Sequence, residues 1–309
     1  MLGIKSKSPL KLAWSRLSRN HAAMAGLVFI VAISLMAIFA DWLAPYSYER
    51  QDSGAFLAGV SRAHWLGADE LGRDLLSRLI FGARISLAIA FFSTLFSLFL
   101  GTVYGAVSGY AGGKVDNFLM RIVDVVYSFP DLLLIILINS SINRERLAGA
   151  FSGINAAWLL RLLNPEIISL LIALSLVSWV YVARLVRGEV LRIREEQFVE
   201  AARALGSKPG SILFRHILPN TLGPLIVTIT FRIPSVILAE STLSFIGLGI
   251  QPPLASWGTL ANTGFAHLRF HPHLILFPSL VIFLTILAFN FLGDGLRDAL
   301  AGEAEQLKG

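Results

Sequence analysis

Four stretches of this chain hold no charged residue: Ala22–Ala40, Ile85–Gly113, Ile167–Ala183 and Leu274–Gly293. A helix of about 20 apolar residues crosses the hydrocarbon core of a bilayer, so each stretch reads as a membrane span. Phe118–Ile142 and Thr221–Ile246 read the same way, with a few charges each. Only 15% of the residues are charged, against roughly 25% in a soluble domain. The pattern predicts an all-α membrane protein with about six transmembrane helices.

The charges between the runs fix an orientation. Lys5, Lys7, Lys11, Arg16 and Arg19 precede the first run. That run is too long for a signal-peptide core and no small-residue cleavage site follows it, so it reads as a retained helix. With six spans, sixteen of the 26 Lys and Arg residues, including all six lysines, fall on the side of both termini. Basic residues collect on the cytoplasmic side, so both termini are expected there. The net charge of +6 then reflects this bias rather than nucleic-acid binding. The chain divides into residues 1–60 (tail, first span and start of an outer segment), 61–84 (outer amphipathic segment), 85–300 (a core of five spans, including a cytoplasmic loop over 187–220) and a tail over 301–309.

Three regions between or within the spans carry the informative polar residues. In the outer segment, Asp69 is placed to cap a helix beginning near Glu70, with Leu71, Leu75, Leu76, Leu79 and Ile80 as an apolar stripe opposite Arg73, Asp74 and Arg78. In the third span, Arg121 and Asp124 are three residues apart and can pair, and Pro130 is expected to kink the helix. In the fifth span, Arg232 and Glu240 flank Pro234. A lone charge at mid-span costs several kcal/mol, so Arg232 must face protein or water: it lines a path or joins an ion pair. The Gly- and Pro-rich loop Gly247–Gly258 reads as backbone buried at the outer mouth.

The longest polar interruption in the second half, Glu200–Pro219, reads as two short helices around a break. Gly206 sits at a left-handed C-terminal cap, Ser207 is placed to cap the second helix with Pro209 in its first turn, and Pro219 closes it. A rigid elbow between two spans suits a chain that receives force from a partner. Nothing in the chain supplies energy itself. There is no GxxxxGK[ST] phosphate loop, no HExxH, no Ser/His/Asp set and no cysteine. His267, His271 and His273 cluster without the pattern of a metal site.

Glu200, Ala201 and Ala202, then Gly206, then Leu218-Pro219, resemble the EAA loop of ATP-binding-cassette importer permeases, with His216 where that family usually has isoleucine. The segment His64–Asp74, HWLGADELGRD, resembles the outer segment of the dipeptide and oligopeptide branch. The resemblance runs from about Leu12 to Leu300. It implies a type I importer permease fold in a bacterial inner membrane. It implies four kinds of partner: a homologous second permease, two cytoplasmic ATP-binding subunits, an extracytoplasmic solute-binding protein and the bilayer. ATP would bind the partner subunits, with no cofactor, metal or catalytic residue on this chain. Glu200, Ala201, Ala202, Gly206, Ser207, Pro209, Leu218 and Pro219 would contact the ATPase. His64, Gly67, Asp69, Gly72, Arg73 and Asp74 would belong to the outer segment, which reads either as an amphipathic lead-in to the second span or as a docking surface for the binding protein. The alternative left open is a self-sufficient secondary transporter or channel.

Overall fold

A computed structural model describes residues 9–151 and 164–306. Lys5 and Lys7, the middle of the 141–166 loop and residues 307–309 lie outside the described residues. In chain order the helices are α1 (Pro9–Leu17), α2 (His21–Ile38), α3 (Ala40–Leu43), α4 (Leu75–Ala111), α5 (Gly113–Tyr127), α6 (Asp131–Ser141), α7 (Arg144–Phe151), α8 (Pro165–Arg194), α9 (Gln197–Ala204), α10 (Pro209–Ile212), α11 (Leu218–Phe245), α12 (Trp257–Ala266) and α13 (His273–Gln306).

The helix starts follow local chemistry. The Asn20 side chain accepts from the Ala23 N–H at 3.1 Å to cap α2, and Asp74 accepts from the Ser77 N–H at 2.8 Å to cap α4. Asn164 caps α8 with Pro165 at its first position, where a missing N–H costs nothing. Five described helices are long and apolar enough to cross a membrane, or six when α5 and α6 count as one span. That third span is sharper than the expected kink: α5 and α6 meet at 88°. Pro130 takes an extended backbone (φ −61°, ψ 123°) just before α6. Its ring removes a ladder donor and displaces the preceding turn, so the helix ends and restarts.

The core is built on α4 and α8. Gly101, Gly105 and Gly109 form a row on α4, and a Cβ on any of them would overlap the backbone of α8 at Trp179, Ala183 and Arg187. Removing those side chains lets the two axes approach closely. Ser97 and Ser175 hydrogen-bond across the contact, Ser97 Oγ donating to Ser175 O at 3.2 Å. The main hydrophobic cluster joins α2, α4, α8, α11 and α12 around Trp257, Leu170, Leu174 and Ile237. α2 packs on α13, where Gly26 meets the Ala288 backbone.

The bundle has two ends. One carries the 44–74 loop, the 247–256 loop and the α12–α13 turn, tied by Glu70–His267 at 2.9 Å and Gln251 N to Glu166 at 3.1 Å. The other carries the α4–α5 turn, α9 and α10. Arg16 reaches the Ala299 carbonyl at 3.4 Å, so α1 and the far part of α13 share this second end. α13 continues without a break past Leu300 to Gln306.

Candidate functional site

At the second end, α8 ends at Arg194 and the chain turns into α9. Val199 and Ala202 face inward, against a cluster that includes Ala106, Val186, Val190, Ile193, Ile212 and Ile217. At the end of α9, Gly206 adopts φ +81°. Its N–H donates to Arg203 O at 3.0 Å, and the Ser207 N–H donates to Ala202 O at 3.1 Å. These two bonds satisfy carbonyls that the helix end would leave open. The expected glycine cap is therefore present.

Two other expectations fail. Lys208, not Ser207, occupies the cap position of α10, and no side chain caps it. Nor does Pro219 close the second helix. Residues Leu213–Ile217 form a π-turn that runs straight into α11, with Pro219 in its first turn. The widened turn moves the Leu218 N–H onto Leu213 O. Proline needs no donor and must avoid the carbonyl four residues back, and a local i→i−5 register meets both needs. Pro209–Phe245 is thus one 37-residue helical rod, and the elbow is the single helix α9 hinged between α8 and that rod.

What α9 and its flanks present outward is distinctive. Glu200, Ala201, Arg203, Gly206 and Pro209 are exposed, and Glu200 makes no ion pair within the described residues, so it does not pair with Arg203. Phe198, Leu205 and Phe214 are also exposed, Leu205 at 87% and Phe214 at 69%. The sequence reading missed these three. They stand out only as large apolar side chains inside a polar stretch. Leu218 is half-buried and Pro219 exposed. His216 is half-buried and its carbonyl accepts from Asn220 Nδ2 at 2.6 Å.

The first end is organised differently. The amphipathic helix expected from Glu70 is absent: α4 begins at Leu75, and residues 64–74 form a compact loop. Its charged groups face inward. Asp69 accepts from Arg73 Nε at 2.7 Å and from Arg78 Nη1 at 3.0 Å. It also takes the backbone N–H groups of Leu71 and Arg73. Asp74 bonds His64 Nδ1 at 2.9 Å while capping α4. His64, Asp69, Arg73, Asp74 and Arg78 are all buried. Gly72 adopts φ +69°, and a Cβ there would overlap the Asp52 carbonyl. Gly67 (φ +87°) packs against Ala58 and His273. Leu75, Leu79 and Ile80 are buried on α4, but Leu71 lies in the loop and is exposed, and the polar residues opposite are folded against the protein rather than solvated.

The intramembrane charges also separate. Arg232 and Glu240 are not partners. Glu240 is fully buried, accepting from Ser86 Oγ at 3.0 Å and Ser244 Oγ at 2.8 Å. Those serines accept backbone N–H groups of Trp257 and Ile250, so the carboxyl joins α4 and α11 to the 247–256 loop and the start of α12. Asp124 pairs with Arg184 at 2.7 Å instead of Arg121. Asp116, unremarked in the sequence, takes a bidentate contact from Arg187 at 2.6 Å per bond and a third from Ser108. The rings of His271 and His273 lie 6.0 Å apart, and no group of three or more potential metal ligands gathers among the described residues.

The described residues form an all-helical, multi-pass bundle with a hinged helix at one end and a folded loop at the other, the architecture of a membrane-embedded subunit. The chain belongs to the family of binding-protein-dependent transport system inner membrane components, which matches residues 101–304, and it is a permease subunit of an ATP-binding-cassette importer. Residues 8–59 match the N-terminal transmembrane domain of oligopeptide transport permease C. The chain is 42% identical over 289 residues to the dipeptide transport system permease protein DppC of Bacillus subtilis (strain 168), covering 93% of this chain and 84% of that one. It is 39% identical over 296 residues to the oligopeptide transport system permease protein OppC of the same organism, covering 96% and 90%. The fold matches an inward-facing structure of the MetNI methionine ABC transporter with a TM-score of 0.54 at 18% identity, covering 73% of this chain and 97% of that one. These likenesses select the importer over a self-sufficient transporter.

Proposed function

We propose that this subunit forms half of the membrane path of a peptide importer and takes its driving force through α9. The cargo reading rests on the relatives, whose names specify dipeptides and oligopeptides. The coupling reading rests on one observation above all: Phe198, Leu205 and Phe214 stand exposed around a capped, well-packed helix. A helix that buries Val199 and Ala202 while offering a phenylalanine and a leucine outward is held rigid on one side and unpartnered on the other. Such a surface suits a groove on an ATP-binding subunit, with the end bearing α9 in the cytoplasm. Closure of two such subunits would shift α9 as a body. Because α9 links α8 to the Pro209–Phe245 rod, the shift would tilt one against the other and switch access. A second permease would complete the path, and a solute-binding protein would deliver cargo to the end bearing residues 64–74.

The test is reconstitution of the chain with its second permease, ATP-binding subunits and binding protein in vesicles. Peptide uptake is expected only with ATP and all partners present. Leu205→Glu with Phe214→Glu is expected to release the ATP-binding subunits on purification while the two permeases stay together. Retention of those subunits at wild-type level would overturn the coupling assignment.

A further inference from the structure

Arg232 lies on α11 roughly 20 Å from either end of that helix, beyond the reach of headgroups that begin about 15 Å from the bilayer midplane. Three other ionisable groups of the spans are held within the chain. Asp116 has Arg187, Asp124 has Arg184, and Glu240 has a set of serines. Arg232 has no hydrogen bond and no carboxylate within ion-pair distance among the described residues. Its guanidinium lies over the Tyr181 ring, 5.1 Å from the centroid.

The charge of Asp131 reaches the guanidinium without forming an ion pair. Arg232 lines a small cavity with Thr94, Ser178 and Thr228, among apolar residues such as Leu98 and Val236. Two polar atoms in that cavity, Arg232 Nε and Thr94 Oγ1, are buried and bonded to nothing. Leaving a buried charged donor unmade costs more than a neutral one, which favours a partner for the guanidinium. Tyr181, over which the guanidinium sits, is 48% exposed, so this side of the arginine lies near the surface of α8 and α11. A planar fork of donors suits a carboxylate.

We propose that Arg232 is a mid-membrane binding point for the carboxylate of the transported solute. Resting on the peptide cargo proposed above, the carboxylate is the one at the peptide C-terminus. The ion pair forms only while cargo is passing, which explains why the arginine carries no resident acid. Tyr181 holds the guanidinium plane in place between passages.

The test uses the complete complex in vesicles, with binding protein in excess, loaded either with a labelled tripeptide or with the same tripeptide amidated at its C-terminus. Arg232→Gln is expected to cut uptake of the free-acid peptide by roughly thirtyfold or more, and uptake of the amide by less than about threefold. Taking each variant relative to wild type cancels the binding protein's own preference. Arg232→Lys, which keeps the charge, is expected to recover most of the free-acid uptake. Equal losses for both cargoes would overturn the proposal, as would no loss. Failure of Arg232→Gln to retain the second permease would also overturn it, because the partner would then be a carboxylate of that subunit. Wild-type complex that imports neither cargo despite intact ATP hydrolysis would instead sink the peptide reading, and the peptide carboxylate with it.

Discussion

The two ends of the bundle solve the same problem in opposite ways. Both are polar interruptions between spans, and both turn on a glycine with positive φ, Gly72 in one and Gly206 in the other. In residues 64–78 most charges turn inward onto one another: a single carboxylate, Asp69, holds two arginines and two backbone donors, although Arg78 Nε stays buried without a partner. Around α9, Glu200, Arg203 and three large apolar side chains turn outward, and neither Glu200 nor Arg203 makes an ion pair among the described residues. The first is folded onto itself; the second, on the proposed coupling role, is half of an interface. Satisfaction of polar groups, more than polarity itself, separates a scaffold loop from a docking element.

The comparison can be broken most directly at Asp69. Asp69→Ala strands two buried guanidinium groups and is expected to cost about 3–5 kcal/mol, read as loss of folded protein in a detergent thermal-unfolding series. A change under about 1 kcal/mol would show that water already satisfies those arginines. Next in size is Gly72→Ala. It adds left-handed strain to an overlap with the Asp52 carbonyl, for about 2–5 kcal/mol in the same assay. Gly206→Ala meets open space, so only the backbone strain of about 1–2 kcal/mol should remain. An equal penalty at the two glycines would erase the distinction drawn here. Smallest of all, Leu205→Ala, Phe214→Ala and Ser207→Ala should each change stability by less than about 0.5 kcal/mol. The first two should nevertheless weaken recovery of the ATP-binding subunits, and Ser207→Ala should not.

Much of this was legible in the residues. The charge-free runs marked the spans because a bilayer admits little else, and Gly206 marked the cap because few residues tolerate its backbone. What escaped was set by contacts distant in sequence or by register. Arg73, Asp74 and Arg78 lie opposite a leucine stripe, and helical periodicity therefore read them as a wet face. Their burial depends on Asp69 reaching Arg78 nine positions away and on His64 reaching Asp74. Pro219 read as a stop because a proline ends most helices, and the π-turn that admits it has no signature in composition. Arg232 read as lining a path or pairing with a neighbouring helix, and no ion pair to it forms among the described residues, while Glu240 is held by Ser86 on another helix.

The glycine row on α4 has a mechanical consequence. Gly101, Gly105 and Gly109 seat α8 so closely that neither helix can slide or roll without collision along three successive turns. Asp116 and Arg187 then bolt the α4–α5 corner to α8 near the same end. The pair acts as a stator. On the proposed coupling role, the rod from Pro209 to Phe245, tied to α4 at the Glu240–Ser86 contact, is the span that swings against this pair, and it carries Arg232.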